Sequence, residues 1–130
     1  MLATHPIDVM LTATDLGVAK QFYRDRIGLD VLIECDEFVT FGCGGDSRLV
    51  VTQTSNPSTE HQTKASWRVG DVVAEVAELR AHGVELAEYD EPGLDTVNGV
   101  ADVGFALSAW FVDPGGNTIG LLQFKDKGQA

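Results

Sequence analysis

Apolar and polar positions alternate along the chain in a way that predicts a run of short elements. Residues 7–14 mix β-branched and apolar side chains with small ones and predict a strand. Asp15 follows as a helix N-cap. Leu16, Ala19, Phe22, Tyr23 and Ile27 then recur at three- and four-residue spacing, which predicts one apolar helical stripe. Gly28 stands where a C-terminal glycine closes such a helix. Residues 29–34, 37–41 and 48–54 predict three more strands, with Gly42, Gly44, Gly45 and Asp46 turning the chain before the last. The polar stretch 56–64 reads as a linker.

The pattern then restarts. Residues 65–69 predict a strand, Asp71 a second N-cap, and Val72, Val73, Val76 and Leu79 a second helical stripe ended by Gly83. Residues 84–89, 105–112 and 118–124 predict strands, and residues 113–117, Asp-Pro-Gly-Gly-Asn, form a tight turn between the last two. Asp15 and Asp71 are 56 residues apart, and Gly28 and Gly83 are 55 apart. The order β-α-β-β-β therefore occurs twice, in repeats spanning about residues 5–55 and 65–125. Neither unit can cover both faces of its own strands. The expected α+β fold is a curved mixed sheet, a cup, with both helices on its outer face, all within one domain. Residues 89–104 interrupt the symmetry and read as an inserted segment that either covers a site or forms a plain surface loop.

Length and charge narrow the function. The 130 residues suit a single domain of about 150. A net charge of −11 disfavours nucleic acid and anionic membranes, because no basic patch meets the phosphates. No Lys or Arg lies between Arg80 and Lys125, while seven acidic residues do. Such a stretch reads either as a solvated, self-repelling surface or as a negative rim that draws in cationic ligands and repels anionic ones. Cys35 and Cys43 match no disulfide framework or zinc spacing, and reduced thiols fit a cytoplasmic protein. No apolar run approaches the roughly 20 residues of a membrane span.

The phrases Asp15-Leu16, Phe22-Tyr23-Arg24-Asp25, Gly28-Leu29 and Ala109-Trp110-Phe111-Val112-Asp113-Pro114-Gly115-Gly116-Asn117, on two β-α-β-β-β repeats, resemble the vicinal oxygen chelate superfamily. That group holds glyoxalase I, extradiol dioxygenases, fosfomycin-resistance enzymes and bleomycin-binding resistance proteins. The resemblance implies four metal ligands in the cup, two from each repeat. It places the first at Asp8, the second at Ala65, the third at Gly120 and the fourth near Val51, where only Thr52 or Gln53 offers a donor. One carboxylate among these positions does not make a zinc or nickel site, so no catalytic metal and no cofactor are expected. His82 suits a helix end, and a non-standard site needs His5, Asp8 and His61 to converge.

With the ligands gone, the cup becomes roomier and more apolar. If Asp8 faces it, strand parity brings Met10 and Thr12 onto the same surface, while Ala65 brings Trp67. Trp110, Tyr89, Phe38 and Phe41 add aromatic surface, and Gln53 a polar contact. The resemblance implies a homodimer, as in the metal-free, bleomycin-binding branch that sequesters a cationic drug, and the acidic charge and aromatic residues suit a neutral or cationic aromatic compound. Two other readings stay open: an isomerase, lyase or dioxygenase-like enzyme using Asp8 as base or a displaced metal, and a dimeric scaffold without turnover.

Overall fold

The computed structural model describes residues 1–58 and 61–125. The chain forms two compact units, Met1–Glu60 with Asp113–Asn117, and His61–Val112 with Thr118–Ala130. Each unit carries its own mixed sheet, so the fold is α+β.

The first unit contains β1 (Asp8–Ala13), α1 (Leu16–Gln21), β2 (Asp30–Glu34), β3 (Phe38–Gly42) and β4 (Arg48–Gln53). Asp15 caps α1 by accepting from the Val18 amide at 3.1 Å. The stripe continues past α1 through a π-helical turn, Phe22–Arg26, and ends at Gly28 with φ of +88°, a backbone region that disfavours side chains. The strand order is β1-β4-β3-β2, with β1 parallel to β4 and the other pairs antiparallel. Leu11, Val39, Phe41, Leu49 and Val51 are buried on the side that receives Ala19 and Tyr23.

The turn at residues 113–117 belongs to this unit. Asp113 accepts from the Tyr23 hydroxyl at 2.6 Å and from the amides of Gly115 and Asn117, both at 2.9 Å. Asn117 Nδ2 donates to the Thr12 carbonyl at 2.8 Å. The buried family turn is thus a hydrogen-bonded clasp on β1.

The second unit contains β5 (Thr63–Arg68), α2 (Val72–Ala81), β6 (Asp90–Glu91), β7 (Leu94–Val97), β8 (Val100–Asp102), β9 (Ala106–Val112) and β10 (Thr118–Phe124). Their order is β5-β10-β9-β8-β7-β6. Asp71 caps α2 through the Ala74 amide at 3.1 Å. Gln123 Oε1 accepts from the Val72 amide at 2.9 Å, which puts alternate β10 residues Ile119, Leu121 and Gln123 on the α2 side.

Two expectations change here. Residues 84–89 are not a strand. Val84 and Leu86 are buried, which gives the alternation of a strand, but no ladder forms: β8 pairs with β9 at Leu107 and Ser108, and the Ala87 amide donates singly to the Trp110 carbonyl at 2.8 Å. Residues 89–104 are not an irregular loop. They fold into β6, β7 and β8, two hairpins that extend the sheet. Asn98 and Gly99 both have positive φ, +53° and +82°, as a two-residue hairpin turn requires.

Candidate functional site

Register divides the first sheet into two faces. The side away from α1 carries three cross-strand rows. One contains Asp8, Arg48, Gly42 and Asp30. The next contains Met10, Val50, Thr40 and Ile33, and the third Thr12, Thr52 and Phe38. Met10 is 63% exposed on this face, and Phe38 is half-buried. Asp8, Met10 and Phe38 therefore lie on one face of this sheet.

Arg48 is a partner that sequence reasoning did not anticipate. Its Nε and Nη2 donate to the two Asp8 carboxylate oxygens at 3.1 and 2.6 Å. The hydrogen bonds, and then the charge of the guanidinium, hold the Asp8 carboxyl below the usual carboxylate range. A carboxylate so held is a weak base with both oxygens engaged. An arginine set in the apolar strand 48–54 was the available signal.

Phe41 and Gln53 fall on the other face. Phe41 is fully buried, its ring 5.5 Å from that of Tyr23, and is core rather than pocket lining. Gln53 Nε2 donates to the carbonyls of Thr14 and Thr54 at 2.7 and 3.2 Å, so its amide secures the chain after β1.

In the second sheet the two tryptophans separate. Trp67 pairs with Leu121 and so lies on the α2 side. Trp110 pairs with Gly120 and stands on the opposite side, its ring meeting the space above that glycine. The Tyr89 ring packs edge-on to Trp110, with centroids 5.5 Å apart and an interplanar angle of 86°. Trp110 and Tyr89 form one aromatic surface, which Trp67 cannot join.

The positions implied for a metal do not fit one. Asp8 is engaged by Arg48, Val51 is buried in the core, and Ala65 and Gly120 offer no donor. A Cβ on Gly120 would lie 2.6 Å from Ser66 Oγ, so a longer ligand side chain there would need Ser66 to move. Among the described residues no three of His, Cys, Asp and Glu converge, and His5, Asp8 and His61 do not form a cluster. The His82 ring sits 2.9 Å from the Glu78 carbonyl, at the end of α2. No helix among the described residues is long and apolar enough to cross a membrane.

Two open cavities lie elsewhere. One of about 510 Å³ flanks the π-helical turn, between Val18, Phe22, Asp25 and Pro114. The other, about 660 Å³, is built on β7 and β8. Neither is lined by Asp8, Met10, Phe38, Phe41, Gln53, Trp67, Tyr89 or Trp110, although Phe22, Asp25 and Pro114 of the sequence motifs border the first and the inserted segment 89–104 the second.

Solved structures of the same fold include TnmS3, an antibiotic binding protein from Streptomyces sp. CB03234, at 25% identity, covering 96% of this chain and 99% of that one, with a TM-score of 0.68. A glyoxalase/bleomycin resistance protein from the same strain is 24% identical over 92% of this chain and 100% of its own, with a TM-score of 0.65. A lactoylglutathione lyase from Agrobacterium tumefaciens is 22% identical over 90% and 91%, with a TM-score of 0.63. No curated protein matches the sequence. The glyoxalase family pattern matches residues 6–121, nearly the whole chain, and the protein belongs to the glyoxalase/bleomycin resistance protein/dioxygenase superfamily.

Proposed function

We propose that this chain binds a neutral or cationic aromatic small molecule and does so without a resident metal. The observation that carries this reading is the Asp8–Arg48 pair. The one implied ligand position with a strong donor is closed by a guanidinium fork. The same pair argues against Asp8 as a general base, since a lowered pKa weakens proton abstraction near neutral pH.

The aromatic pair of Trp110 and Tyr89 supports a flat organic ligand, through stacking or cation–π contact. Met10, Phe38 and the neighbouring threonines offer a second, softer surface in the other unit. The similarity to an antibiotic binding protein supports sequestration over turnover. Exposed Met10, Leu32 and Ile33 support a homodimeric state, in which apolar surface of this kind is covered.

Metal analysis of the purified protein tests the metal-free part. The proposal expects substoichiometric metal throughout. One equivalent of nickel, zinc, manganese or iron, retained through gel filtration, would overturn it.

A further inference from the structure

The cavity on the hairpins of the second unit is lined by both apolar and acidic side chains. Leu94, Val97, Val100 and Leu107 supply the apolar part, and Val97 is 73% exposed. Glu91, Asp95 and Asp102 supply the acidic part, and no Lys or Arg lines it. The hairpin register sets Asp90 directly opposite Asp95, two like charges on neighbouring strands, an arrangement that costs stability. Nearby, Glu88 is paired with Arg80 and Asp102 with Lys125. Asp90, Glu91 and Asp95 have no ion-pair partner among the described residues.

From this geometry we propose that the groove between β7, β8 and β9 is a binding site for a small lipophilic cation. The site is separate from the aromatic surface described above. Leu107 and Trp110 are three residues apart on one strand and point to opposite faces. A volume of about 660 Å³ is in the range of small-molecule sites. The apolar lining favours an organic body, and the carboxylates of Glu91 and Asp95, which have no ion-pair partner among the described residues, favour positive charge. A bound cation relieves the repulsion between Asp90 and Asp95. A second copy of this chain is a poor occupant of this groove, because its own copy of the groove would set like acidic side chains against these.

The test is an amide NMR titration of the full chain with tetraphenylphosphonium and, separately, with the size-matched anion tetraphenylborate. The cation is expected to give saturable shifts confined to residues 91–107, weakening as salt is raised, while the anion gives none there. Asp95→Asn is expected to raise the Kd of the cation by about two- to fivefold while raising the melting temperature. The opposed signs separate loss of a ligand contact from damage to the hairpin. An equal response to both ions, or no binding, overturns the site. Shifts centred on Met10, Phe38 or Trp110 instead also overturn it, while leaving the proposed function standing. So does concentration-dependent dimerisation that Val97→Glu abolishes, which assigns the groove to self-association.

Discussion

The Tyr23 hydroxyl donates a 2.6 Å hydrogen bond to Asp113 Oδ2 across 90 positions of sequence, and both groups are buried. Burial and the neighbouring Asp113 carboxylate raise the Tyr23 pKa far above that of an ordinary phenol. Tyr23→Phe removes one donor from a buried carboxylate and is expected to cost about 1.5–3 kcal/mol in urea unfolding. In the wild type, the Tyr23 phenolate absorbance should appear only together with alkaline unfolding.

Gly115 is the tightest point of the same clasp. A Cβ at this position would lie 2.5 Å from the Thr12 carbonyl oxygen and 3.2 Å from the Ala13 Cα, both backbone atoms. Gly115→Ala should therefore destabilise by about 1–3 kcal/mol, because the obstruction cannot rotate away. Gly120→Ala meets a serine hydroxyl instead and should be milder in the same unfolding assay.

The Asp8–Arg48 pair gives a pH signature. The folded Asp8 pKa lies below its ordinary value of 3.8. Its contribution to stability is then present above about that pH and is lost as pH falls through the lowered folded value. Carboxyl NMR should find Asp8 ionised below the normal aspartate range. Arg48→Gln should return its titration towards that range.

The tryptophans should divide by role. Trp67→Ala removes packing on the α2 side and is expected to cost about 2 kcal/mol of stability with little effect on ligand affinity. Trp110→Ala should weaken aromatic ligands more than it lowers stability. Paired denaturation and binding curves for both variants check the division.

What the sequence made legible was local. Asp15 and Asp71 cap their helices, and Gly28 and Gly83 end them with positive φ, because capping depends on residues a few positions away. The β-α-β-β-β repeat followed from these marks. Residues 84–89 have the alternation of a strand, but strand identity needs a laddered partner edge, and they make none. Asn98-Gly99 is a hairpin signal in the sequence, and the segment around it folds as paired strands. Trp67 shares its face with Ala65, and the pairing of Trp67 with Leu121 sets that face on the α2 side. Asp8 stood out in its strand, but its partner is 40 residues away and only the parallel β1–β4 pairing makes them neighbours. Phe41 and Phe38 look alike in sequence, yet an odd spacing on one strand sends one to the core and the other to the open face.

The most direct test of metal-free aromatic binding is a fluorescence titration of chelator-stripped protein in a Trp67→Phe background, where Trp110 is the sole tryptophan. The ligands are a panel of neutral and cationic aromatic compounds. The account predicts saturable quenching by at least one member, unchanged when nickel, zinc or manganese is added. Quenching that appears only with added metal, or turnover of the bound compound on metal addition, would contradict it.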